Sequence, residues 1–120
     1  MRKPEHLFYK GFDITYLDYS NLKTQDEIFQ LLDDGSDYIR SKPPKSVLSL
    51  INVENMFFNS AIRSHMTDCV KLNTPYIRKS AVFGLGGLIT VLYNSFIAMT
   101  GRNMKSFKTR EEALEYLVTP

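Results

Sequence analysis

The period of the hydrophobic positions changes several times along the chain, and each change marks an element. From Leu7 to Tyr19 the pattern is extended: Ile14, Tyr16 and Asp18 alternate with Thr15 and Leu17, and β-branched and aromatic residues are frequent. Gly11 divides this stretch into the two strands of a hairpin. Thr24-Gln25-Asp26-Glu27 then reads as a capping box, in which the Thr24 hydroxyl meets the Glu27 amide and Glu27 reaches back. Ile28, Leu31, Leu32 and Ile39 continue at helical spacing with Gly35 on the same face, until Pro43-Pro44 ends the segment. Ser46 to Val53 is a short, mostly apolar run, as expected of a central strand covered on both faces. A second helix is predicted from Asn59 or Ser60, with Ile62, Met66, Cys69 and Val70 on one face and Asn73-Thr74-Pro75 closing it. Tyr76 to Phe83 is the next strand. Gly84-Leu85-Gly86-Gly87 breaks it and opens the third and most apolar helix, from Leu88 to Met99, with Gly101 placed as its C-terminal left-handed residue. Met104 to Phe107 is a short strand. A second capping box, Thr109-Arg110-Glu111-Glu112, starts the last helix, carried by Ala113, Leu114 and Leu117.

Strands alternating with helices at these spacings predict the α/β class. The expected architecture is a mixed, mainly parallel sheet of four to five strands with four helices, the N-terminal hairpin making it mixed. At 120 residues the natural expectation is a single domain over 1–120, large enough to bury a core. In such sheets ligands and partners engage the loops at the C-terminal ends of the strands. Here these are Glu54 to Asn59 and Gly84 to Gly87.

Composition adds mainly exclusions. With 43% hydrophobic and 23% charged residues the chain reads as globular rather than disordered. A net charge of +2 gives no reason to expect a nucleic-acid partner. The single Cys69 rules out an internal disulfide framework and suits a reducing compartment. No signal peptide is read at the N-terminus, and the longest apolar stretch, Leu88 to Met99, is too short to span a bilayer. A cytoplasmic protein is the expectation.

Five features could carry chemistry. Asn59 and Ser60 are both good helix caps; Ser60 is also a candidate phosphoacceptor, because a phosphate there would sit at the positive end of the helix dipole. Gly84, Gly86 and Gly87 form a candidate anion or ligand loop, although neither a phosphate-loop nor a dinucleotide fingerprint is complete. His65 and Cys69, four apart, share a side of their helix, but two ligands fall short of a metal site, so no metal and no cofactor are expected. Arg102, Lys105, Lys108 and Arg110 form a basic cluster that Glu111, Glu112 and Glu115 offset. The helix from Leu88 reads as buried in the domain, with a dimer interface or the wall of a lipid pocket as the other possibilities. Asp33, Asp34 and Asp37 cluster near the end of the first helix, where they oppose its dipole, and without partners they read as surface charge. Of Arg78 and Lys79, adjacent in a predicted strand, at least one points outward. No catalytic constellation is present.

The chain resembles the STAS-like group, of the bacterial anti-sigma-factor-antagonist (SpoIIAA-like) type. The hallmark of STAS domains is an apolar strand, a loop, and Asp-Ser-Ser/Thr-Gly opening a helix. Here the strand is Val47 to Val53, the loop Glu54 to Phe58, and the helix opens Asn59-Ser60-Ala61-Ile62. Ser60 falls on the family's phosphorylated serine, while Asn59 replaces the aspartate, Ala61 the second hydroxyl residue and Ile62 the glycine. A nearer likeness is to small stand-alone bacterial proteins of this group without an assigned activity. It rests on Ser46-Val47-Leu48, Asn73-Thr74-Pro75-Tyr76, Ala81-Val82-Phe83-Gly84, Thr100-Gly101-Arg102-Asn103, Phe107-Lys108-Thr109 and Glu111 to Leu117. The resemblance implies helices packed mainly on one side of the sheet. The expected role is a non-enzymatic regulatory or protein-interaction domain, with Ser60 as the remnant of a degenerate phosphoswitch. Met56, Phe57, Phe58, Asn59 and Arg63 are the candidate interface for a protein partner, and a homodimer is allowed. The alternative is a binder of a small apolar or lipid-like molecule in a pocket beneath the third helix, as in the related CRAL-TRIO lipid-carrier fold.

Overall fold

The computed structural model describes residues 2–86 and 104–120. The alternating N-terminal segment forms a hairpin of β1 (Glu5–Tyr9) and antiparallel β2 (Phe12–Asp18). Its turn is Lys10-Gly11, with φ of 51° and 84°. A two-residue turn of that hand matches the twist of the flanking strands and favours glycine. There follow α1 (Gln25–Arg40), β3 (Val47–Asn52), α2 (Ser60–Asn73), a 3-10 turn (Thr74–Tyr76), β4 (Ile77–Phe83), β5 (Met104–Phe107) and α3 (Arg110–Val118). The five strands lie in the order β1-β2-β3-β4-β5, and every pair after the hairpin is parallel. The sheet is thus mixed and mainly parallel, as its alternation with helices predicts. Three α-helices lie among the described residues. The helix expected from Leu88 to Met99 lies outside them, as do Gly87, Gly101 and Arg102.

Both threonine caps form. Glu27 N donates to Thr24 Oγ1 at 3.3 Å and Glu112 N to Thr109 Oγ1 at 3.2 Å. The return contacts differ from the expected form: Glu27 and Glu112 accept from the threonine hydroxyls, at 2.7 and 3.1 Å.

The helices divide between the two faces of the sheet. Ile28, Leu31, Leu32 and Ile39 of α1 and Ile62, Cys69 and Val70 of α2 pack with Leu17, Val47, Ile77, Val82 and Met104. Ala113, Leu114 and Leu117 of α3 pack on Ile14, Leu48, Leu50, Ala81 and Phe83. The reason is the handedness of crossovers. α1 and α2 each join neighbouring parallel strands stepping the same way across the sheet, so right-handed connections bring both to one face. α3 follows the edge strand β5 and covers the opposite face. Helices mainly on one side therefore describes α1 and α2; α3 is the exception. On the α1/α2 face, Ser49 and Ser80 stand opposite each other on β3 and β4, fully buried, and share a hydrogen bond of 2.5 Å.

α3 is held by charge as well as by packing. Lys79 Nζ donates to the carbonyls of Tyr116 (3.1 Å) and Thr119, where a cation complements the helix C-terminus. Its neighbour Arg78 is exposed, as expected of one of the two. One residue before Tyr116, Glu115 accepts from Lys10 Nζ (2.5 Å) and Tyr9 OH (2.6 Å), tying α3 to the hairpin. The hydrogen bond from Lys10, then that from Tyr9, holds the Glu115 carboxyl below its ordinary value. A carboxyl depressed by folding contributes stability above its unfolded pKa and loses that contribution as pH falls through the folded one. Lys10→Ala is accordingly expected to move the Glu115 titration upward, toward the ordinary glutamate range, when followed by the NMR shift of its side-chain carbonyl. An unmoved titration would show that the contact does not persist in solution.

Candidate functional site

The C-terminal ends of β2, β3 and β4 and the loops that leave them form one interlocked surface. Tyr19 N donates to Asn52 O at 2.8 Å, Asn21 N to Glu54 O at 2.9 Å and Val53 N to Phe83 O at 3.1 Å. Side chains add to this ladder. Asn55 Nδ2 donates to Asn21 Oδ1 at 2.9 Å, and Lys23 Nζ reaches Asn55 O and Oδ1 at 2.7 and 2.8 Å. Asn21 and Asn55 both lie at positive φ (62° and 54°), a region that asparagine tolerates better than most residues. Asn52 Oδ1 caps the loop by accepting from Glu54 N at 3.0 Å.

Asn59 caps α2: its Oδ1 accepts from Ile62 N at 2.8 Å. Its Nδ2 also donates to Gln25 Oε1 at 3.0 Å, joining the starts of α1 and α2. A carboxylate has no such donor, which gives a physical sense to asparagine at this position. Ser60 is the first residue of α2 and is exposed, as are Ala61 and Arg63. The three apolar residues before the cap do not behave alike. Phe57 is 40% exposed, whereas Met56 and Phe58 are half-buried against the α1/α2 core. Of the three expected anchors, only Phe57 is therefore presented to solvent. Phe57 N donates to Leu22 O at 2.9 Å, and this bond pins the loop between its two inward neighbours.

Gly84 and Gly86 differ in kind. Gly84 has φ +89°, and a Cβ there would lie 2.7 Å from Glu54 N. It serves close approach to the β3–α2 loop. A Cβ on Gly86 would meet nothing within 4 Å among the described residues. Gly87 of the same candidate loop lies outside the described residues.

A polar seam runs between α1 and α2. Asp33 Oδ1 contacts His65 Nε2 at 2.7 Å, and Phe29, one turn earlier on α1, stacks on the same imidazole (centroids 4.4 Å apart, planes at 23°). Further along, Asn73 Nδ2 donates to Ser36 Oγ at 3.1 Å. Between these contacts lies Cys69, buried; burial pushes its thiol above the ordinary value, against a hydrogen bond with Ser36 that lowers it. The three helix aspartates are therefore not unpartnered surface charge. Asp33 pairs with His65, Asp34 with Lys3 at 3.0 Å and Asp37 with Arg40 at 3.3 Å. Hydrogen bonds from Gln30, then Lys3, hold Asp34 below its ordinary value. His65 on α2 and Lys3 at the N-terminus are partners that nothing in the local sequence signals, whereas Gln30 stands one turn before Asp34 on α1.

Beside the seam lies a pocket of about 40 Å³ whose walls include Leu17, Gly35, Ser36, Cys69, Asn73 and Met104. That is room for about one water molecule. Asn73 Oδ1, buried, has no hydrogen-bond partner among the described residues. The pocket expected beneath the helix from Leu88 lies outside those residues. Among them, no helix is long and apolar enough to cross a membrane.

No protein-family model matches the chain, and no curated protein does. Solved structures do match. An uncharacterised protein of the DUF3478 family with a SpoIIAA-like fold, from Shewanella loihica PV-4, superposes with a TM-score of 0.75 at 12% identity, over 95% of this chain and 91% of that one. An anti-sigma-factor antagonist (STAS) domain protein from Planctomyces limnophilus superposes with a TM-score of 0.67 at 14% identity, over 98% of this chain and all of that one. The fold is STAS-like, as the resemblance of the sequence to that group led one to expect.

Proposed function

We propose that the chain is a non-enzymatic regulatory domain that docks a protein partner through the β3–α2 loop and the first turn of α2. The observation that carries this reading is Phe57. It is a large aromatic side chain, 40% exposed, on a loop held by backbone hydrogen bonds on both sides. An ordered aromatic loses little conformational freedom on binding and fills a partner's pocket well. Exposed Arg63 adds a charge at the rim. The STAS domain neighbour, described as an anti-sigma-factor antagonist, supports the same reading by likeness of fold. A cytoplasmic setting goes with it, in line with a lone unbridged cysteine.

Ser60 is the control point in this proposal. Its position on the first residue of α2 places the hydroxyl at the positive end of the helix dipole. A phosphate there would add about two negative charges beside Phe57 and Arg63. The test is recovery of partners from the source cells by tagged wild type, Phe57→Ala and Ser60→Asp. Loss of a central aromatic anchor weakens binding by roughly thirtyfold, so Phe57→Ala is expected to recover little of what wild type does. Ser60→Asp is expected to change which proteins are recovered. Equal recovery by all three would show that this surface is not the interface.

A further inference from the structure

We infer that Asp33, His65 and Cys69 form a binding site for a borderline-soft divalent cation, of which Zn²⁺ is the type, clipping α1 to α2. Sequence spacing shows two ligands one turn apart on one helix; the fold supplies the third from the facing helix. One carboxylate oxygen, one imidazole nitrogen and the Cys69 Sγ all lie within 4.8 Å of one another. A tetrahedral zinc site places such donors about 3.3–3.6 Å apart, given metal–ligand bonds of about 2.0–2.3 Å. The 2.7 Å contact between Asp33 and His65 would open by about 0.6 Å to admit the ion. Asp33 can make that adjustment, since its side chain is 59% exposed.

The donor set selects the metal. Thiolate and imidazole favour zinc and its neighbours over magnesium or calcium, which take oxygen. A thiolate and a carboxylate together neutralise a dication, so the bound site carries no net charge at a partly buried position. The surroundings hold two of the ligands in place: Phe29 stacks on the imidazole, and Ser36 hydrogen-bonds the thiol. Three protein ligands leave a fourth position for water, on the side where Asp33 meets solvent. The inference stands apart from the docking surface around Phe57 and shares no residue with it.

Co²⁺ is the spectroscopic probe. Added to the reduced, metal-free full-length protein, one equivalent is expected to give a thiolate-to-cobalt charge-transfer band, which Zn²⁺ then displaces. Cys69→Ser should abolish the band. Changes to residues that merely support a metal ligand cost about 10–100-fold in affinity, so His65→Ala and Asp33→Asn, each removing a ligand, should weaken Zn²⁺ binding by more than about a hundredfold. Circular dichroism checks that each variant is folded. Should Cys69→Ser or His65→Ala unfold, exposed Asp33→Asn still decides the matter. Absence of the band in wild type overturns the inference. So does a band or a Zn²⁺ affinity that folded Asp33→Asn leaves unchanged, since the ion would then be held by the thiolate without the cluster.

Discussion

Ile62→Gly is expected to lower the stability of the fold by about 2.5–6 kcal/mol, the largest effect of any single change near the candidate site. Ile62 is the third residue of α2 and is fully buried in the core between α1, α2 and the sheet. Removing a buried isoleucine down to alanine costs about 2–5 kcal/mol in lost transfer energy and cavity. Going on to glycine inside a helix costs about 0.5–1 kcal/mol more. Against a typical total of about 5–15 kcal/mol this is a severe loss. Urea denaturation followed by circular dichroism measures it, as a lower midpoint at unchanged slope. Ile62→Val, which leaves the packing nearly whole, should cost only about 0.5–1.5 kcal/mol. A glycine variant within about 1 kcal/mol of wild type would show that the start of α2 does not pack as described. The substitution also puts a glycine where the STAS pattern has one; in this chain the first turn of α2 is instead seated in the core by Ile62 and tied to α1 by Asn59.

What the sequence made legible was whatever depends on local physics. Gly11 marks the hairpin, the threonines mark two helix starts, and the pair Asn59-Ser60 marks another, because each signal is confined to a few adjacent residues; that Asn59 is the cap is settled by the fold. The parallel sheet followed from the alternation of elements. Contacts between elements were not legible. Met56, Phe57 and Phe58 are three consecutive apolar residues in a loop, with no period to say which turns inward. The Phe57 N bond to Leu22 O, from the loop before α1, decides that two turn in and one turns out. Likewise the His65–Cys69 spacing is visible on α2, but Asp33 lies 32 residues away on α1. Only the register of the two packed helices brings it to the same imidazole. Ala113, Leu114 and Leu117 mark an apolar face on α3, but nothing within residues 110–118 says which side of the sheet that face covers.

Gly84→Ala is expected to cost about 2–5 kcal/mol, and to disturb the candidate docking loop more than any change within that loop. Two costs combine. At φ +89° a residue with a Cβ is strained, by about 1–2 kcal/mol. The new methyl would also sit 2.3 Å from Glu54 Cγ, 2.7 Å from Glu54 N and 3.0 Å from Glu54 Cα. The side-chain clash can be relieved by rotation, but the backbone clashes cannot, and overpacking of this kind costs about 1–3 kcal/mol. The segment that must yield is the one whose carbonyl receives Asn21 N, so a shift there loosens the lock between the β2–α1 and β3–α2 loops. Thermal or urea melts of a three-variant set separate the contributions. Gly86→Ala, which meets nothing among the described residues and has no positive φ, should stay within about 0.5 kcal/mol of wild type. Glu54→Ala combined with Gly84→Ala removes the Cγ clash and should recover only part of the loss, because the amide and Cα of residue 54 remain. Full recovery in that double variant would place the whole cost in the Glu54 side chain and leave the backbone approach without consequence. No loss in Gly84→Ala itself would mean that the β4 end and the β3–α2 loop are not in contact. Phe57 would then stand on a loop less fixed than its hydrogen bonds require, and the case for a preorganised docking surface would go with it.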